Sequence, residues 1–115
     1  MKKTAKARGR REELQIPARS LEAVVKAPGE RARVTVIANT LAAMQSIVGG
    51  YIEVVGFDEE NVIVCNEEGR LLGLPENCLG LCGTFIVLGR GQDGEFGDVV
   101  SPKEIVALLG REDGR

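Results

Sequence analysis

Three cysteines, Cys65, Cys78 and Cys82, are the most reactive side chains in this sequence. Zinc sites usually take four Cys or His ligands, and the chain has no histidine. A catalytic thiol or hydroxyl needs a neighbouring base, and no Ser or Cys lies beside a plausible base here. We therefore predict no catalytic residues, no metal and no cofactor. Because there is no secretion signal, we expect reduced thiols and a cytoplasmic location.

A glycine pattern of the dinucleotide-binding type, GxGxxG, spans residues 89–94. A dinucleotide site requires a helix after this pattern, so that the helix amino end faces the pyrophosphate. Here the following residues, 95–100, are typical of a strand. The pattern therefore predicts a glycine-rich hairpin loop. The acidic residues in the turns around it are expected to be exposed.

Four residues are candidates for ligand binding. Tyr51 follows Gly49-Gly50, which either lets a ligand approach the backbone or simply ends a helix. Asn77 either contacts a ligand or caps the loop backbone, and the turn preference of Asn favours the cap. Arg70 and Arg90 are the only basic residues between positions 34 and 102, so they are the candidates for holding a charged ligand.

The charge of the chain is distributed unevenly. Residues 1–19 carry seven basic and two acidic residues, a balance of +5, whereas residues 20–115 carry eight basic and fifteen acidic residues, a balance of −7. The first 19 residues are predicted to be a disordered or weakly helical arm, which is either a solubilising tail or a contact to the phosphate backbone of nucleic acid or to an acidic partner. The candidate nucleic-acid contacts are Lys2, Lys3, Lys6, Arg8, Arg10 and Arg11.

Removing residues 1–19 should abolish any binding of DNA or RNA. Such binding is expected to be weak and independent of base sequence, and its logarithmic affinity should fall steeply with the logarithm of salt concentration. The remaining acidic body repels phosphate. Filter binding of the full and truncated chains at low salt measures the difference, and equal binding by the two would contradict a role for the arm.

The rest of the sequence predicts one α+β domain over residues 20–115. Asn39 or Thr40 is expected to cap a helix in which Leu41, Met44 and Val48 have helical spacing and which Gly49-Gly50 ends. Ser101-Pro102 with Glu104 predicts a capped C-terminal helix that Gly110 ends. Seven runs of strand preference predict a mostly antiparallel sheet of five to seven short strands in the order ββαβββββα, at residues 21–27, Arg33–Ala38, 51–57, Asn61–Asn66, 71–74, 83–88 and 95–100.

Two further details of the sheet are predicted. The second run, with apolar residues on both faces, is expected to be a central strand. One core is expected to bury the helix face together with alternate strand residues: Ile47, Val48, Ile52, Val54, Ile63, Phe85 and Val87.

The segments VGGYIEVV, NEEG and GLPEN, in this order between Val24 and Val100, carry a family resemblance. The chain resembles a family of small uncharacterised domains, a domain of unknown function, found in phages, conjugative plasmids and other bacterial mobile elements. The resemblance implies a compact α+β fold and a mobile-element origin. It implies no activity and no site residues. The basic arm and the stretch from Cys78 to Cys82 depart from the family pattern.

The function expected from the sequence is a non-enzymatic accessory or binding domain of a mobile element. Its partner would be an unknown protein or small molecule, and a homo-oligomer is compatible with the pattern. The alternatives are weak nucleic-acid association through the arm, and binding of a small nucleotide signal as a scavenger that counters host defence. No stretch is apolar enough to suggest a membrane span.

Overall fold

The computed structural model describes residues 19–112. Apart from Arg19, the predicted basic arm lies outside the described residues. Within them the chain forms an α+β fold of six strands and two helices, which confirms the predicted class. The elements are β1 Ser20–Lys26, β2 Arg33–Ala38, α1 Leu41–Val48, β3 Ile52–Gly56, β4 Asn61–Asn66, β5 Phe85–Arg90, β6 Phe96–Gly97 and α2 Pro102–Glu112.

All strand pairs of the sheet are antiparallel, and the strand order is β2-β1-β5-β4-β3. The short strand β6 pairs with the end of β5. Each residue of β4 is buried, as are the first five residues of β5. These two strands form the centre of the sheet, because both of their faces are covered by other parts of the chain.

Two separate cores lie on the two faces of the sheet. Met44 and Val48 of α1 pack with Ile86 of β5 on one face, whereas Ile105 and Leu109 of α2 lie on the other. The prediction of one shared core is therefore wrong. Of the predicted residues, Val48, Ile47 and Ile52 belong to the α1 core, Ile63, Phe85 and Val87 belong to the α2 core, and Val54 is exposed.

Helix α1 begins and ends as its sequence predicts. The Thr40 side chain accepts a hydrogen bond from the Ala43 backbone N–H at 3.1 Å, which satisfies one of the unpaired amides of the first turn. Gly49 closes the helix with φ 85°, a left-handed conformation that glycine adopts without steric cost. A Cβ on Gly50 would lie 2.9 Å from the Asn66 amide, so this second glycine allows close packing of helix and sheet.

Five local predictions are wrong. β2 is an edge strand rather than a central one, since only β1 pairs with it. Residues 71–74 form part of a turn, because hydrogen bonds from Leu72 to Glu68 and from Leu74 to Gly69 close it. The last predicted strand is only two residues long. At α2, Ser101 has φ 58° instead of the extended backbone of an N-cap, and the helix runs past Gly110.

Candidate binding site

Two loops pack together at the end of the sheet where β4 finishes. The first comprises residues 67–74 and the second residues 75–83. An ideal Cβ on Gly69 would lie 2.5 Å from the Cys82 carbonyl oxygen, so only glycine permits this contact. Arg70 donates a hydrogen bond from its guanidinium to the Gly80 carbonyl oxygen at 3.1 Å. Backbone contact and side-chain bond together fix one loop against the other.

A groove runs between these loops and the edge of the sheet. One cavity of about 170 Å³ includes Glu53, Glu67 and Cys65 in its lining, and a neighbouring cavity of about 150 Å³ includes Glu76 and Asn77. Both cavities share four lining residues, Arg70, Gly80, Leu81 and Cys82. The charged residues that line the two cavities are thus Glu53, Glu67, Glu76 and Arg70, so the lining carries a net negative charge.

Asn77 holds the second loop to the sheet. Its Oδ1 accepts from the Lys26 ammonium at 3.1 Å and from the Cys78 backbone N–H at 2.8 Å. Its Nδ2 donates to the carbonyl oxygens of Lys26 and Gly83, both at 2.9 Å. Lys26 is 0% exposed, and its ammonium also donates to the Ala27 carbonyl. The amide of Asn77 is therefore occupied by structural bonds, as its alternative role of loop cap predicts.

Two more buried asparagines, one at each end of β4, form hydrogen bonds that join the strand to neighbouring segments. Asn61 exchanges two hydrogen bonds with the backbone of Val100, at 2.8 and 3.1 Å. Asn66 donates to the Val48 carbonyl at the end of α1 and accepts from the Glu68 backbone N–H. Sequence reasoning did not single out either residue, although Asn at a strand end next to a turn is the available signal.

The structure brings together only part of the predicted ligand-binding set. Arg70 and Asn77 line one cavity. Tyr51 lies beside the first loop, in a shallow depression that it shares with Gly50 and Glu68. Arg90 lies at the opposite end of β4, where its Nε donates to the Asp58 carbonyl oxygen.

Exposed leucines on the two loops are the feature that sequence reasoning missed. Leu71 is 87% exposed and Leu72 57%, and Leu79 is also exposed. Leu79 has φ 63°, a left-handed conformation that costs energy for a bulky side chain. We call the exposed side chains of Arg70, Leu71, Leu72 and Leu79 the loop face. A leucine pair directly after a turn sequence was the available signal.

Two ionisable groups have shifted pKa values, Cys65 in the lining of the groove and Asp58 at the opposite end of β4. Burial raises the pKa of the Cys65 thiol, with a further contribution from the Glu53 carboxylate. Burial also acts to raise the pKa of Asp58, but hydrogen bonds from Glu60 and Asn61 and the charge of Arg90 outweigh it and lower that pKa. Cys65 is thus held as a thiol and Asp58 as a carboxylate that orders its turn.

The glycine pattern at residues 89–94 forms a hairpin connection, as predicted. Gln92–Gly94 is a single turn between β5 and β6, so a strand follows the pattern where a dinucleotide site would have a helix. Among residues 19–112, no three or more Cys, Asp or Glu side chains are grouped so that they could hold a metal ion. In the same range, neither helix has the length and hydrophobicity needed to cross a membrane.

Comparison with protein families identifies the chain. The model of the domain of unknown function DUF3846 matches residues 21–110. The chain belongs to this family. The match covers the whole sheet except Ser20, together with the groove and most of α2, so the DUF3846 domain contains the complete loop face. A search of curated proteins found no match, and a search of solved structures found none either.

Proposed function

We propose that this DUF3846 domain is a non-enzymatic binding domain that recognises a protein partner through its loop face. One observation carries the proposal: three exposed leucines lie on two loops that are fixed to each other by the Arg70–Gly80 bond. Isolated exposed leucines are common, but a group of them on a rigid, strained support is typical of a binding surface. The resemblance to mobile-element proteins makes an accessory role in a phage or plasmid our proposed setting.

The charge of the groove favours a protein over a nucleotide. A nucleotide phosphate would meet one guanidinium among the carboxylates of Glu53, Glu67 and Glu76. Like charges in a binding site oppose association. A protein segment that places leucine-sized apolar groups on the loop face and a basic side chain over the groove would satisfy both features.

The polar groups around the groove support a role other than catalysis. Asn77 uses both ends of its amide to hold backbone and Lys26. Arg70 is bonded to the facing loop, and the Cys65 thiol donates weakly to the Glu53 carbonyl at 3.7 Å. These bonds position loops. A general acid or base, by contrast, must be able to exchange a proton with a substrate.

Replacing Leu71 and Leu72 together by serine should abolish partner binding while leaving the fold intact. Both side chains are exposed, so the free energy of unfolding should change by no more than about 0.5 kcal/mol per site. Loss of two apolar contacts from an interface centre costs about 1–3 kcal/mol each, which lowers affinity at least tenfold. The measurement is affinity capture from the cells in which the chain is naturally made, followed by titration of the captured protein.

The matched control is Leu108→Ser, which removes a partly exposed leucine of α2 that lines a cavity with Phe57 and Asp58, at the end of β4 opposite the two loops. A partner captured by the parent and by this control, but lost by the double variant, would support the proposal. Equal capture by the double variant would refute it. Turnover in a broad hydrolase and transferase screen, lost on changing a single polar residue, would refute the non-enzymatic role.

A further inference from the structure

The outer edge of β2 has hydrogen-bonding groups that point away from the sheet. Asn39 donates its backbone N–H to the Arg19 carbonyl at 2.7 Å, so the peptide groups of Asn39 face β1. Peptide groups point to alternate sides along a β-strand. The N–H and C=O of Thr35 therefore also face β1, whereas those of Val34 and Val36 point outward. Among residues 19–112, no other residue forms a hydrogen bond with these outward groups.

Apart from the charge of Arg33 at its start, this edge lacks the features that protect edge strands from pairing. β2 reads RVTVIA, a run rich in β-branched residues that contains neither lysine nor proline. Val36 is 64% exposed and Val34 is exposed beside it on the same face. A strand of this kind, with open peptide groups and apolar side chains, is a template for another strand.

We propose that β2 pairs with β2 of a second copy of this chain, in an antiparallel arrangement with the two-fold axis at Thr35. In this register Val34 lies opposite the partner's Val36, and their outward peptide groups form a bonded pair. The two-fold axis repeats this pair, so four valines meet on one face of the joined sheet and two threonines meet on the other. Pairs of β-branched residues such as these are favourable cross-strand neighbours. The interface goes beyond the proposed function and does not depend on it.

The charges of β2 are compatible with this symmetric pairing. Arg33 lies opposite the partner's Ile37, and the two copies of Arg33 are four strand residues apart, about 13 Å. That separation exceeds the screening length of about 8 Å at physiological salt. The other edge, β3, is different: symmetric pairing over Ile52 and Val54 would place Glu53 opposite or diagonal to its own copy.

The substitution Val36→Pro tests this interface selectively. Because the N–H of Val36 points outward, Val36→Pro removes an edge donor but no bond of the β1–β2 ladder. The dimer dissociation constant should rise about tenfold or more, since each copy loses an intersubunit hydrogen bond and the valine contact. Sedimentation velocity over a concentration series measures this change. Val54→Pro, which removes an outward donor from β3, is the matched control and should dimerise like the parent.

Amide exchange of the full parent chain supplies a second readout that needs no variant. The Val34 and Val36 amides should become protected as concentration rises and the sedimenting mass doubles. A chain that stays monomeric at all concentrations would overturn the proposal, as would a dimer that Val36→Pro does not weaken. Open-ended assemblies, in which β2 of one copy pairs with β3 of the next, would overturn it as well. Protection of Val36 in a monomer would also overturn it, because another part of the same chain would then cover the edge. If Val36→Pro does not fold, Val36→Lys places a charge at the same contact.

Discussion

Replacing Phe85 by alanine is expected to lower the free energy of unfolding by about 3–5 kcal/mol, the range for emptying a buried phenylalanine site. Phe85 is fully buried in the α2 core, where it lies in the cluster that contains Val24, Cys65 and Leu109. A domain of this size has about 5–15 kcal/mol in total, so the variant should be close to unfolding. Chemical denaturation monitored by circular dichroism measures the loss.

The control for this prediction is Val54→Ala. Val54 was expected in the core, but it is exposed on the edge strand β3, so its truncation should change stability by no more than about 0.5 kcal/mol. Equal denaturation midpoints for the two variants would contradict the assignment of sheet faces described above. The partial burial of Ile52 on the same strand also implies a smaller loss for Ile52→Ala than for Phe85→Ala.

Replacing Asn77 by alanine should have the second large effect, a loss of about 3 kcal/mol. The change removes one bond to a buried ammonium, for which about 1.5–3 kcal/mol is typical, and leaves the carbonyls of Lys26 and Gly83 without this donor. The second loop should then separate from the sheet before the rest of the domain unfolds. Denaturation midpoints, together with faster amide exchange in residues 78–83, are the measurements.

Asn39→Ala is the matched comparison for Asn77. Asn39 is partly exposed, and Thr40 is the residue that caps α1. The free energy of unfolding should therefore change by about 0.5 kcal/mol or less. A loss at Asn39 as large as that at Asn77 would mean that the network around Lys26 does not stabilise the loop.

Elements with strong local signals could be predicted from the sequence. The Thr40 cap, the apolar spacing of α1 and Gly49 determine a helix through contacts between near neighbours. β4 and β5 are runs of β-branched and apolar residues that favour extended backbone whatever surrounds them. The family resemblance rested on VGGYIEVV, NEEG and GLPEN, which lie at the end of α1, in β3 and in the two loops, and the match to residues 21–110 confirms a domain of unknown function.

Features that depend on distant contacts could not be predicted in this way. The valines of β2 have the composition of a central strand, and only the complete strand order reveals that they lie at an edge. The apolar run 71–74 suggested a strand, but the hydrogen bond from Leu74 to Gly69 and the contact between Gly69 and Cys82 make it a turn. For the same reason the bond between Asn77 and Lys26, 51 positions apart, has no local signature.

Hydrogen–deuterium exchange on the full chain, with and without its captured partner, tests the central claim most directly. Binding through the loop face predicts slower exchange in residues 69–74 and 78–82, with little change at Arg90 and the 58–60 turn. Both regions belong to one chain, so each experiment contains its own control. Protection confined to the Arg90 end of the sheet, with the two loops unchanged, would contradict the account.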